Sequence, residues 1–482
     1  MATHKSLLNR TLRRLRRAWS DLNISLRAGN DLELEPALGD KDVEKLRELI
    51  PACLHAPGGD VAARAQAARI GHAYMALNLQ GRLRFLRLLA SDFDVDPNVV
   101  QAAIQDYSRA TDISSLPKWR HKLRKALISP RVQLLTLFNA LPEGIKFLVD
   151  MRGELLELKA DRDPELSEVE RDLRHLLASW FDIGFLQLEQ ITWQSPASLL
   201  EKFIEYEAVH QITSWHDLKH RMASDRRLFA FFHPNMPGEP LIFVQVALVD
   251  DLATNVQVLL DTTAPSLDPQ EANTAIFYSI SNAQKGLAGI SFGNYLIKRV
   301  VARLKQECPA LRQFATLSPV PGFMSWLKAA SQPDGSLMLL PHERQVIANM
   351  AANLEVESSL MALLDVTAWH QNASLTAALQ PVLLRLCAEY LSQLESGKLR
   401  AQDPVAHFHL SKGATLQQLN WMADASAKGF RQSAGMMVNY LYDPATIDTN
   451  TEQYVQTGAV AMSSAFREMK KEKSPKTMRP AV

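Results

Sequence analysis

The chain has 482 residues, 47% of them hydrophobic, with 53 Lys and Arg against 52 Asp and Glu. That length exceeds one ordinary core and the apolar fraction supports unaided folding, so two or more folded domains are expected rather than a disordered or fibrous chain. A net charge of +1 argues against a basic nucleic-acid surface, and three cysteines (Cys53, Cys308, Cys387) in so long a chain point to a reducing compartment without a disulfide framework.

The first twenty residues hold Lys5, Arg10, Arg13, Arg14, Arg16 and Arg17 and no acid, while Leu8, Leu12, Leu15, Trp19 and Leu22 recur at helical spacing. An amphipathic first helix with a solvated basic face is the favoured reading and a mitochondrial presequence the alternative. The protein is therefore expected in the cytoplasm, or in the mitochondrial matrix if the segment is a presequence. No run approaches the ~18 apolar residues of a membrane span.

From residue 1 to about 190 the pattern is helical throughout. Leu83, Phe85, Leu86 and Leu89 mark one apolar face and Leu134, Leu135, Leu137 and Phe138 another, and Asp96-Pro97 supplies a helix cap followed by proline at the first helical position. This stretch reads as an all-α bundle. Asp92, Asp94 and Asp96 alternate as in a calcium loop, but the glycine and the bidentate glutamate are absent, so a polar helix entrance is the better reading.

Residues 191–482 change in character. A predicted helix over 197–208 is followed by His216-Asp217-Leu218-Lys219-His220, whose histidines have zinc spacing. Ser214 and Asp217 read better as a capping-box variant at a solvated helix start. Two β-rich runs, 228–232 and 241–249, flank the turn Pro234-Asn235-Met236-Pro237-Gly238-Glu239-Pro240 and predict a hairpin. A strand over 275–281, a helix over 294–306 and a strand over 312–317 predict a parallel crossover, so this half is α/β or α+β. Helices are predicted over 342–364 and 375–394, and a short strand over 406–410.

Three segments here have chemical potential. The loop Gln284-Lys285-Gly286-Leu287-Ala288-Gly289-Ile290-Ser291-Phe292-Gly293 follows a strand and opens a helix, so its N–H groups can converge on a phosphate, with Lys285, Lys298 and Arg299 adding charge. Neither the Walker nor the dinucleotide fingerprint is present, and a plain βα turn explains the spacing equally well. Ser318 is expected at the C-terminal end of a parallel strand, where open sheets place their sites, although Ser-Pro also simply ends strands. In Asp403-Pro404-Val405-Ala406-His407-Phe408-His409-Leu410 a strand would put His407 and His409 on one face, histidine being the side chain that exchanges protons near neutrality.

Together, and in this order, these segments resemble the malonyl-CoA decarboxylase family. The likeness runs from Trp193 onward through Pro237-Gly238-Glu239-Pro240-Leu241, Ala275 to Ser281, Leu317-Ser318-Pro319, Phe408-His409-Leu410 and Asn420-Trp421-Met422-Ala423-Asp424, and extends more loosely into the helical half. The resemblance implies an oligomerising helical domain (1–190), a catalytic domain of the GNAT acyltransferase type (191–482), a homotetramer, and decarboxylation of malonyl-CoA to acetyl-CoA and CO2 without metal, biotin or other cofactor. It implies Ser318 and His409 as the catalytic pair, Tyr442 as the site tyrosine, and Ala288, Gly289, Ile290, Ser291, Phe292, Gly293 and Asn294 as the CoA loop, near Lys298 and Arg299. Ser291 stands in the loop where several members carry glutamate, so no role of that glutamate transfers. On this reading Ser318 binds the malonyl carboxylate or thioester region, His409 protonates the enolate carbon, and N–H groups near Tyr278 to Ser281 hold the thioester.

An acyl-CoA N-acyltransferase on the same fold is the alternative; it needs an acceptor groove and a base. A catalytically silent acyl-CoA sensor is a third. Residues 1–20 carry +6 and residues 467–482 carry +4, which leaves −9 on the body of a chain of net charge +1. An anionic CoA ester therefore depends on local donors rather than on long-range steering.

Overall fold

The computed structural model describes residues 32–470 apart from 57–58, 111, 159–162, 182, 291–294, 333–334 and 336. The basic segment at the N-terminus and the part of the phosphate loop from Ser291 to Asn294 lie outside the described residues.

Among the described residues, eight helices precede the sheet: α1 (Asp40–Leu54), α2 (Gly59–Ala76), α3 (Leu79–Ser91), α4 (Pro97–Ser108), α5 (Leu116–Ala126), α6 (Pro130–Asn139), α7 (Gly144–Glu157) and α8 (Pro164–Trp180). The two expected apolar faces fall on α3 and α6 and are buried there at Phe85, Leu86, Leu89, Leu134, Leu135 and Phe138. Asp96 caps α4 by accepting the Asn98 N–H. Asp92 pairs with Arg47 and Asp94 with Arg131, so the three carboxylates of that segment diverge to separate partners.

The expectation of helix up to residue 190 is corrected at its end, where β1 (Gln187–Ile191) is the first strand of an eight-stranded sheet. Then come α9 (Ala197–Tyr206), α10 (Trp215–His220), the hairpin β2 (Arg226–Phe232) and β3 (Ile242–Val249), α11 (Val256–Leu260), β4 (Thr274–Asn282), α12 (Tyr295–Glu307), β5 (Gln313–Thr316) and β6 (Ser318–Pro319). The remaining elements are α13 (Phe323–Ala330), α14 (Pro341–Leu354), α15 (Leu360–Leu364), α16 (Ala373–Ser392), α17 (Pro404–Leu410), β7 (Thr415–Asn420), α18 (Ala427–Ser433), β8 (Met437–Leu441), α19 (Ile447–Thr457) and α20 (Ser464–Lys470).

The strand order is β1-β2-β3-β4-β5-β8-β6, with β7 on β8; β4 and β5 are parallel across the α12 crossover and the other pairs antiparallel. Two predicted elements divide. The helix over 342–364 stops at Leu354 because Glu355 takes a left-handed conformation (φ 52°), and the strand over 312–317 breaks at Leu317 into β5 and β6.

Buried side chains of the helical half and of one sheet face belong to one contiguous cluster, running from Leu46 and Phe85 to Phe277, Val300 and Tyr440. The joint is backbone against backbone. Gly286 lies where a Cβ would sit 1.7 Å from the Val149 carbonyl oxygen of α7. The fully buried Arg152 of α7 spans the same joint, donating to the Gly286 carbonyl at 2.6 Å and to Glu170 of α8 at 2.7 and 2.9 Å. Among the described residues no helix is long and apolar enough to cross a membrane.

Candidate active site

The stretch 406–410 is a helix, not a strand, which corrects the expected shared face of its histidines. Asp403 accepts the Val405 and Ala406 N–H groups at 2.9 Å each, and Pro404 occupies the first helical position, so the local sequence nucleates a turn. A helix advances about 100° per residue, so His407 and His409 point apart. His407 meets Tyr454 Oη at 2.9 Å, while His409 turns into the sheet.

There it joins residues on or next to three strands. Ser318 begins β6, opposite Val438 of β8, and Tyr442 follows β8, its N–H bound to the Phe314 carbonyl. His409 Nε2 lies 3.2 Å from Ser318 Oγ, and His409 Nδ1 lies 2.7 Å from Tyr442 Oη. Ser318 Oγ donates onward to Thr316 Oγ1 at 2.8 Å. Ser318, His409 and Tyr442 are all buried. The structure thus brings together three sequence-predicted residues that lie 91 and 33 positions apart.

Burial pushes the His409 imidazole down to about 3, with the nearby Lys412 ammonium acting in the same direction, so the ring is neutral. Burial also lowers Lys412, to about 8. The face of His409 stacks on Tyr440, and the Thr316 hydroxyl accepts the Tyr440 N–H at 3.2 Å. Sequence reasoning assigned no role to Thr316 or Tyr440. Both were within reach of the two-residue period of a strand, Thr316 standing two before Ser318 and Tyr440 two before Tyr442.

The glycine loop is put together differently from the expectation. Lys285–Leu287 is a 3-10 turn, and Gly286 is filled by α7 rather than open to a ligand. Lys285 pairs with Glu157 at 2.7 Å. Ala288 and Gly289 are exposed, and Gly289 has the left-handed φ of +73° with open space around it. Ile290 packs partly against the core, and Ser291, Phe292, Gly293 and Asn294 lie outside the described residues. Lys298 pairs with Asp448 at 2.7 Å, and Arg299 donates to the Leu186 carbonyl at 2.7 Å.

Two cavities flank Tyr442. One, of about 280 Å³, includes Phe314, Leu441 and Asp443; the other, of about 310 Å³, includes Ile297, Lys298, Lys305 and Ile447. The tyrosine therefore joins the buried histidine to two surface clefts.

In the zinc-spaced segment Ser214 accepts the Asp217 N–H at 3.1 Å, while the Asp217 carboxylate turns to Arg221 and the Thr213 N–H. That is half of a capping box. Among the described residues no three His, Cys, Asp or Glu side chains form a group able to hold a metal ion.

Residues 184–479 match the malonyl-CoA decarboxylase C-terminal domain and residues 93–181 the malonyl-CoA decarboxylase N-terminal domain. A curated relative from Mus musculus, malonyl-CoA decarboxylase, mitochondrial, is 40% identical over 376 residues, covering 75% of this chain and 76% of the relative. The protein of the same name from Anser anser anser is 37% identical over 401 residues, 79% of this chain and 78% of the relative. The crystal structure of malonyl-CoA decarboxylase from Rhodopseudomonas palustris superposes with a TM-score of 0.81 at 39% identity over 88% of this chain and 99% of that one. The one from Agrobacterium vitis gives 0.80 at 38% over 89% and 100%.

Proposed function

The chain belongs to the malonyl-CoA decarboxylase family, and we propose that Ser318, His409 and Tyr442 carry out its reaction. It decarboxylates malonyl-CoA to acetyl-CoA and CO2. The observation that carries the residue assignment is the buried hydrogen-bonded chain from Tyr442 through His409 to Ser318.

Breaking the bond to the carboxylate releases CO2 and leaves its electron pair on the thioester as an enolate. Donors that stabilise the developing oxyanion, and transfer of the carboxylate out of water, lower that barrier. Ser318 binds the malonyl carboxylate or thioester region, and Tyr442 holds His409 through Nδ1. His409 gives a proton to the enolate carbon, and water replaces it. A neutral imidazole suffices because a thioester enolate is a strong carbon base. No step uses a metal ion or biotin, since the thioester itself takes up the electron pair.

The sheet supports a thioester site. Gln245 faces Ser279 and Val246 faces Phe277, so Tyr278 is the extra residue of a bulge, and pairing of β4 with β5 ends at Phe277. The backbone from Tyr278 to Ser281 supplies the N–H groups for the thioester. The antiparallel strands β1 to β4, the α12 crossover and this divergence support a GNAT-type assignment for the catalytic region. The CoA phosphates are assigned to the loop from Ala288 to Asn294. Lys298 and Arg299 already serve Asp448 and the Leu186 carbonyl, so their share in phosphate binding is the smaller one.

The helical region is proposed to build a homo-oligomer, a tetramer by the family resemblance. In support, α5 buries none of its residues, and Val99, Ile113 and Leu127 are exposed on and beside the α4–α5 hairpin. Light scattering of Ile113→Asp/Leu127→Asp should show a smaller particle than wild type.

Incubation with malonyl-CoA and no acyl acceptor should yield acetyl-CoA and CO2 in equal amounts; inertness would restore the acyltransferase alternative, which family membership disfavours. Both His409→Ala and Ser318→Ala should bind CoA and lose most turnover. Wild-type CO2 release by His409→Ala would end the residue assignment.

A further inference from the structure

We infer that Thr316 is a positioning residue for this reaction: by accepting the Ser318 hydroxyl proton it sets the direction of the hydrogen-bond chain and keeps His409 in the tautomer protonated on Nε2. The inference rests on the Ser318–His409 reading above.

Tyr442 Oη, His409 Nδ1 and Nε2, Ser318 Oγ and Thr316 Oγ1 stand in line, with separations of 2.7, 3.2 and 2.8 Å between successive residues. Each hydroxyl and the neutral ring contribute one proton, so the row runs in one of two directions. Tyr442 Oη is buried and has His409 as its hydrogen-bond partner among the described residues. A phenol is a better donor than acceptor and an unprotonated imidazole nitrogen is a good acceptor, so Tyr442 donates and Nδ1 accepts. The ring proton is then on Nε2, which donates to Ser318 Oγ.

Ser318 now needs an acceptor for its own proton, and Thr316 Oγ1 is the one in place. Thr316 is itself pinned. Its hydroxyl oxygen takes the Tyr440 N–H at 3.2 Å, and its carbonyl takes Asn439 Nδ2 at 2.8 Å. In the reverse direction Thr316 would have to donate to Ser318, whereas their contact has Ser318 Oγ as the donor and Thr316 Oγ1 as the acceptor.

The chemical consequence is specific. While Thr316 holds the Ser318 proton, that proton stays off Nε2, and the ring nitrogen nearest Ser318 carries the hydrogen that the enolate carbon needs. When the malonyl carboxylate arrives, the Ser318 hydroxyl rotates from Thr316 to it, and the ring proton is undisturbed.

The test is the tautomer of His409 in the full-length protein labelled with 15N-histidine, its signal assigned by loss in His409→Gln. Wild type should show Nε2–H with an unprotonated Nδ1; Nδ1–H in wild type overturns the inference without any variant at Thr316. Thr316→Val keeps the shape and removes the acceptor, so the Ser318 proton should turn onto Nε2, the ring should become Nδ1–H, and kcat should fall about 10²-fold at little-changed KM. Thr316→Ser should restore both. An unchanged tautomer in Thr316→Val, or no recovery of kcat in Thr316→Ser, overturns the role of Thr316 while leaving Ser318 and His409 in theirs. Full turnover in His409→Gln would instead remove the underlying reading.

Discussion

The imidazole of His409 lies on the ring of Tyr440, centroids 4.4 Å apart and planes 22° apart, while the Tyr440 hydroxyl is buried with no hydrogen-bond partner among the described residues. The ring fixes the plane of the imidazole, and the hydroxyl contributes only a desolvation cost. Tyr440→Phe should therefore raise stability by about 1 kcal/mol, read as a higher urea midpoint at unchanged m. A lower midpoint would mean that the hydroxyl is satisfied. Tyr440→Leu, which removes the flat support, should lower kcat.

Acid should weaken the fold in a definite window. Burial holds His409 down at about 3 and His210 at about 4, both from 6.5, so the folded forms are neutral. Below 6.5 the unfolded chain binds protons that the folded chain refuses, and stability falls as pH drops toward those folded values. The loss approaches about 1.4 kcal/mol per pH unit for each group. Urea midpoints between pH 7.5 and 5 measure it, and His210→Gln should flatten the slope. An unchanged slope in that variant would contradict the burial argument. For the same reason kcat should show no His409 titration near 6.5.

Two glycines three residues apart should respond unequally to alanine. At Gly286 the new methyl meets the Val149 carbonyl oxygen at 1.7 Å, whereas at Gly289 it meets open space and only the positive φ resists it. Gly286→Ala should cost about 1–3 kcal/mol and raise KM for the CoA ester by displacing the loop. Gly289→Ala should cost nearer about 1 kcal/mol. Thermal midpoints and KM decide, and equal effects would refute the packing role of Gly286.

Asp403 carries the helix that carries His409. Its Oδ1 caps Val405 and Ala406, and its Oδ2 accepts the Tyr390 hydroxyl at 3.2 Å. Asp403→Ala should lose about 1–2 kcal/mol and much of kcat, because His409 sits in the last turn of α17. Asp403→Asn keeps a capping oxygen and should retain more of both. Equal losses in the two variants would show that the charge, not the cap, matters.

Much of the architecture was legible where one rule governed the segment. The apolar faces on α3 and α6, the Asp96-Pro97 cap, the hairpin and the parallel crossover follow from period, cap and turn chemistry. The segment 406–410 misled because its alternation of apolar residues and histidines suits a strand, yet Asp403-Pro404 carries the same start signal as Asp96-Pro97. Ser318, His409 and Tyr442 were reached through resemblance to a family, since nothing local to any of them predicts their meeting. The packing role of Gly286 leaves no mark in the sequence, because a glycine that admits a neighbouring helix and one that admits a ligand look alike there. Thr316 and Tyr440 acquire meaning only when tertiary pairing brings their strands beside α17.

The seam at Gly286 also has a temporal side. Arg152 and Gly286 are 134 residues apart, so during synthesis α7 and α8 leave the ribosome well before the loop they hold. Chains assemble from the N-terminus as they emerge, and the helices can be packed when β4 arrives. The ledge that fixes the start of the glycine loop is then already built, and the later half of the molecule closes onto a surface made before it.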